Sequence, residues 1–241
     1  APPDLFGETH AVELNEPLPT PIEPWNNLKQ LSMEKEVVGV YISGHPLDDF
    51  KLEIKSFCNQ GGIQRINSGE LPLNRDFSFA GIVTEVNHRV SKNGNPFGVL
   101  TIEDYNDSLQ VFLFSQDYVN FKSYLNVGWF LFVRGRMQTR KFNKEETEFK
   151  ITSMELLPDI REKLAKKITL TMQLSEVSNK LIEDLTYIVR TNEGKCKVHI
   201  QIEDHKEKIR IDVPSKRLAI NPSNEFLKKL EEVNVTYEIN K

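Results

Sequence analysis

Cysteine is nearly missing from this chain: Cys58 and Cys196 are the only two in 241 residues. They lie far apart and in separate segments, so neither a disulfide framework nor a thiolate metal site is expected, only free thiols in a reducing compartment. His45 has no second histidine or cysteine at metal-ligand spacing, and reads as a turn residue bonding backbone. No apolar run approaches the roughly 20 residues that cross a bilayer. No basic stretch followed by an apolar core opens the chain as a secretory signal would. A cytoplasmic location is therefore expected, with no membrane and no small-molecule substrate. An initiator methionine is also missing, which points to a piece of a longer chain or to a processed one. Net basicity is absent as well. A formal charge of −4 excludes a nucleic-acid binder that relies on a bulk positive field. What remains is ordinary for a folded protein, 39% hydrophobic and 27% charged, and the length suits two domains of about 100 residues each plus a tether.

The organising stretch is residues 77–157. Residues 77–90 (FSFAGIVTEVNHRV) read as a long strand, with Gly81 as the point where it bends to serve two sides of a small barrel. Asn93-Gly94 marks a hairpin. In residues 97–103, Leu100 and Ile102 alternate against Phe97, Val99 and Thr101. DYND (104–107) is a turn whose side chains bond their own backbone. Leu109, Val111 and Leu113 then alternate with Gln110, Phe112 and Phe114. Ser115 is placed to cap a helix over 116–124. Two more strands follow at 129–137 and 148–157. Three strands, a helix and two strands is the order of an OB-fold barrel.

Such barrels commonly bind oligonucleotides on the face of the second and third strands and on the loops joining strands one to two and four to five. At the first loop lie His88, Arg89 and Lys92; at the second, Arg136, Arg140, Lys141 and Phe142. Phe97 and Phe112 are assigned to the outward faces of the strands. Cations suit phosphates and flat rings suit bases. The segment holds nine cations and nine carboxylates, so binding has to come from clustering rather than from overall charge.

Residues 1–24 hold six of the 12 prolines and five acidic residues, too polar a stretch to order itself. Its one apolar cluster, Leu5-Phe6 after Asp4, has the form of a short docking motif. Residues 25–76 read as a helical hairpin, with helices at 32–43 and 47–57 around the Gly44-His45-Pro46 turn. Residues 158–241 hold a strand at 168–172, a helix at 175–189, and a break at Gly194. Paired strands follow at 197–203 and 208–213, with His199 and His205 facing solvent, and then a helix opened by Asn221-Pro222 and a last strand at 233–239. The whole is an α+β multidomain protein, an OB barrel followed by a small β-α-β-β-α-β domain.

The segment EKEVVGVYISGHPLDDF, from Glu34 to Phe50, resembles the one that precedes the OB domain in the bacterial replicative DNA polymerase III alpha subunit. The resemblance continues through FAGIVTEVNHRVSKNGNPFGVLTIED and the terminal domain. It implies a C-terminal, non-catalytic part of that subunit. The OB domain would touch single-stranded DNA, and the terminal domain would dock the clamp-loader tau subunit. Asp4, Leu5 and Phe6 match the end of the family's sliding-clamp motif, with Pro2 where its Gln would stand. No paired aspartates have a context for two-metal nucleotidyl transfer. Asp48 and Asp49 sit in a helix's first turn, so no catalytic residue, metal or cofactor is expected here, and Mg²⁺ belongs to polymerase domains upstream. Two other readings share the barrel: the OB domain of an aminoacyl-tRNA synthetase, and a scaffold that binds no nucleic acid.

Overall fold

The computed structural model describes residues 25–140 and 146–241. It divides after Gly44 into two units. In the first, α1 (Asn27–Val38) starts where Asn26 accepts a hydrogen bond from the Lys29 amide at 2.8 Å. It ends at Gly39, whose φ of 86° suits only a residue without a Cβ. The helix therefore runs five residues ahead of the one expected over 32–43. Asn26 caps better than Ser32 because the Leu28 to Leu31 turn is already helical, and Gly39 stops it before Val40 and Ile42.

The second unit opens with a 3₁₀ turn, Pro46–Phe50, which His45 caps. The His45 amide donates to Asp48 Oδ2 at 2.9 Å, and the Leu47 amide donates to His45 Nδ1 at 3.1 Å. α2 (Lys51–Phe57) and the short α3 (Gly62–Asn67) follow. Leu47 and Phe57 are fully buried in the core of this unit. Sequence patterning gave no sign of α3. Its start depends on a distant residue: Asp104 Oδ2 accepts from the Ile63 amide at 2.7 Å. The other oxygen of Asp104 closes the expected DYND turn by accepting from the Asn106 and Asp107 amides.

Five strands then form one antiparallel sheet: β1 (Asp76–Val90), β2 (Pro96–Glu103), β3 (Ser108–Phe114), β4 (Phe130–Thr139) and β5 (Thr147–Leu156), in the order β3-β2-β1-β4-β5. β1 is long enough to serve two partners, pairing with β4 over its first half and with β2 over its second. The change of partner falls at Ile82, with a bulge between Val83 and Glu85. At Gly81 any side chain would strike Ile102 and the Glu103 carbonyl. Phe77, Phe79, Val83, Leu100, Ile102 and Leu131 fill the interior. This is the expected five-stranded barrel. α4 (Ser115–Phe121) follows β3, but Ser115 does not cap it. Ser115 is its first residue, at φ 49°, because Phe114 stays in the strand opposite Phe97 and the chain has to turn abruptly.

After α5 (Ile160–Leu164) comes a four-stranded sheet of β6 (Lys167–Gln173), β7 (Glu193–Asp204), β8 (Ile209–Ile220) and β9 (Thr236–Asn240), in the order β8-β7-β6-β9. α6 (Asn179–Thr191) and α7 (Asn224–Glu232) complete the β-α-β-β-α-β succession. Ser178 and Ser223 cap these helices. The expected opener Asn221 instead donates its amide to the Asn192 carbonyl. Gly194 lies within β7, where a Cβ would meet the Asn221 nitrogen. His205 is exposed and His199 half-buried. One core joins the two sheets: Ala80 and Phe132 of the barrel pack with Leu157, Ile160, Ile168, Phe226 and Leu230.

Candidate nucleic-acid interface

Residues opposite each other in an antiparallel pair share a face of the sheet. On the outer face of β1, β2 and β3 the register builds three rows. Arg89, Phe97 and Phe114 form the first; Asn87, Val99 and Phe112 the second; Glu85, Thr101 and Gln110 the third. Within this grid the three phenylalanines touch in series. Phe97 and Phe114 stack with centroids 5.1 Å apart, and Phe112 and Phe114 lie 6.2 Å apart with planes 9° from parallel. Phe112 and Phe114 are 52% and 53% exposed. Two open, nearly parallel rings on a rigid strand are a surface for planar partners.

Cations stand at one end of this ladder. Arg89 is directly opposite Phe97, and Lys92 lies in the exposed turn that Ser91 closes, where Gly94 takes φ 77°. Among the described residues neither Arg89 nor Lys92 is in an ion pair. Glu85 marks the other end, accepting from Thr101 Oγ1 at 3.3 Å.

The remaining expected residues are placed differently. His88 belongs to the opposite face, its Nδ1 2.9 Å from the Tyr118 hydroxyl of α4, because one step along a strand reverses the side chain. Arg136 lies on β4, 3.9 Å from Asp76 and away from the rings. Arg140 is held by Glu146 at 2.6 Å and Glu148 at 3.8 Å, which cancels the charge it would offer a phosphate. Lys141 and Phe142, like Asp4, Leu5 and Phe6, lie outside the described residues. Phe114 was not singled out from sequence, although its alternation with Phe112 carried the signal.

β3 and β5 end the sheet order and border a cleft of about 950 Å³ lined by Phe112, Phe114, Phe149, Gln138, Arg140 and Lys150, among others. An ion pair between Lys150 and Asp117 crosses it. Among the described residues its cations, Arg140 and Lys150, are both engaged by carboxylates. Among the described residues no group of three or more His, Cys, Asp or Glu side chains could hold a metal ion, and no helix is long and apolar enough to cross a membrane.

Residues 77–157 match the family model described as an OB-fold nucleic acid binding domain, in agreement with the five-stranded fold. Residues 168–240 match the model of the DNA polymerase III alpha subunit, C-terminal domain. Curated relatives agree along the chain. The DNA polymerase III subunit alpha of Saccharopolyspora erythraea is 27% identical over 225 residues, 88% of this chain and 18% of that one. That of Vibrio cholerae is 25% identical over 236 residues, 95% of this chain and 20% of that one. The resemblance to the C-terminal region of the DNA polymerase III alpha subunit thus holds across both domains, and the chain spans about a fifth of the length of these relatives. The chain is also similar, over 34% of its length, to a mitochondrial single-stranded DNA binding protein from S. cerevisiae, at 19% identity and over 95% of that protein. The TM-score of that match is 0.26.

Proposed function

We propose that this chain is a non-catalytic C-terminal part of a replicative DNA polymerase alpha subunit and that its barrel carries single-stranded DNA. The observation that carries this reading is the ladder of Phe97, Phe114 and Phe112, with Arg89 and Lys92, in no ion pair among the described residues, at its head. Phe112 offers a face to a base beside the exposed ring of Phe114, and the two cations take the backbone phosphates that lead onto it. Arg140 and Lys150 are engaged by carboxylates and the barrel's overall charge is balanced, so binding is modest and salt-sensitive. Anisotropy of labelled oligo-dT, oligo-U and duplex DNA at two salt concentrations tests the reading. Oligo-dT should bind more tightly than duplex and lose affinity with salt; no binding to any of them would favour the scaffold reading, which the balanced charge of the barrel suggests.

Nucleotidyl transfer belongs to the absent upstream domains in this account, so primed template with Mg²⁺ and dNTPs should yield no incorporation by this chain. Docking falls to the flanks. The terminal domain is assigned to the clamp-loader tau subunit by resemblance, supported by an uncovered apolar row on edge strand β8: Ile209, Ile211 and Val213 are 54%, 49% and 46% exposed. Asp4, Leu5 and Phe6 are assigned to the sliding clamp by resemblance alone. A clamp-binding assay on a peptide of the first residues with Pro2→Gln should show tighter binding than the native peptide, and equal affinities would remove the assignment.

A further inference from the structure

β8 ends the terminal sheet, and no strand among the described residues lies along its outer edge. Such an edge carries backbone N–H and C=O groups open to pairing. From Ile209 to Val213 its pattern alternates strictly, with Ile209, Ile211 and Val213 on one face, Arg210 and Asp212 on the other, and all five exposed. Ile211 lies opposite Ile202 and Val213 opposite Ile200 of β7, two side chains that pack against the core, so the apolar row continues the core face out to the margin of the sheet. On the other face Arg210 Nε stands 3.8 Å from Asp212 and 3.9 Å from Glu203, and the terminal nitrogens of the guanidinium carry further donors. Pro214 follows, and its missing N–H ends the stretch that can pair.

A strand of this pattern is complementary to itself. Laid antiparallel about a two-fold axis through Ile211, it sets Ile211 against its own copy, Ile209 against Val213, and Arg210 against Asp212 on either side of the axis. Opposite residues share a face, so apolar meets apolar on one side of the sheet and opposite charges meet on the other. Moving the axis to the next residue in either direction sets Arg210 against Arg210 or Asp212 against Asp212, so charge selects the register. We propose that β8 pairs in this way with β8 of a second copy of the chain, joining the two terminal sheets into one. The contact is isologous, the same patch serving both partners. It covers the row assigned above to tau, so self-pairing and that docking exclude one another, and it does not depend on the single-stranded DNA reading. The paired stretch from Ile209 to Val213 is far smaller than the roughly 20–30 residues a side of a standard interface, so the dimer is weak and forms at high micromolar concentration.

The test is sedimentation of the full chain over a concentration series, for the wild type, for Arg210→Asp and for Asp212→Arg, with circular dichroism to show that each is folded. Either substitution alone puts like charges opposite each other twice in the dimer, and should weaken self-association at least about tenfold. An equimolar mixture of the two variants sets two aspartates of one chain against two arginines of the other, and should dimerise about as well as the wild type. A wild type that stays monomeric throughout overturns the proposal and leaves the β8 row to tau alone. Dimers that both variants form unchanged, or single variants that mixing does not restore, overturn it equally by placing self-association elsewhere.

Discussion

Arg161 of α5 donates to Glu53 of α2 in the buried core that joins barrel and terminal domain. The same guanidinium reaches the Pro222 carbonyl at 3.3 Å and Asn224 Oδ1 at 2.6 Å, at the start of α7. Three segments far apart in sequence are thus tied at one point. Among the described residues Glu53 Oε2 and Arg161 Nε have no partner, so the pair is incompletely satisfied and sensitive to loss of either member. Arg161→Ala should cost about 3–5 kcal/mol, the range for stranding a buried charge. Replacing both members, Glu53→Leu with Arg161→Met, should cost clearly less. Urea unfolding of the three proteins checks this, and equal destabilisation would show that the pair is not coupled.

Glu34 makes a pH prediction. Its carboxylate accepts from the Ser43 hydroxyl, from the Ser43 and Ile42 amides at 2.9 Å each, and from Gln30. These bonds, the Ser43 hydroxyl's first, hold its pKa down from the ordinary 4.5 to about 2. A carboxyl lowered on folding stabilises fully above its unfolded value and loses that contribution as pH falls through the folded one. Protection of the Ile42 and Ser43 amides against hydrogen exchange should therefore fall between pH 4.5 and about 2, with no change above that window. Glu34→Gln should remove the pH dependence.

The two thiols should be inert. Burial pushes Cys58 up from 9.0 to about 12 and Cys196 to about 11, so neither is a thiolate at neutral pH. Ellman's reagent should label neither in the native protein within minutes and both in urea. Fast native labelling would contradict the packing around them.

The β8 row makes a docking prediction. Ile211→Asp should weaken capture of tau at least about tenfold, as expected when a charge enters an apolar contact, while oligo-dT binding stays as it was. This substitution is a cleaner test than deleting the terminal domain, because the deletion would uncover Phe132 and Leu157 in the shared core. Unchanged capture would move the docking site elsewhere.

Periodicity made much of this fold legible. The five barrel strands and the β-α-β-β-α-β succession follow from alternation, from Asn93-Gly94 and from helical apolar spacing. What it missed depends on distant partners: α3 starts on Asp104, and α2 belongs to the main body through Leu47 and Phe57. Helix starts at Ser32, Ser115 and Asn221 failed because a good cap was available elsewhere or a strand kept its last residue. In the candidate site, alternation placed Phe112 outward, but only the register could add Phe114, separate Arg89 from His88 and show that Arg140 is spent on Glu146 and Glu148.

The central claim is that Phe112 and Phe114 receive bases of a single strand. Oligo-dT affinity of Phe112→Ala with Phe114→Ala, measured over a range of salt concentrations beside the wild type, tests it most directly. Stacking contributes about 1–3 kcal/mol per base, so the double variant should bind at least about tenfold more weakly with its salt slope intact, since Arg89 and Lys92 remain. An unchanged affinity would contradict the claim.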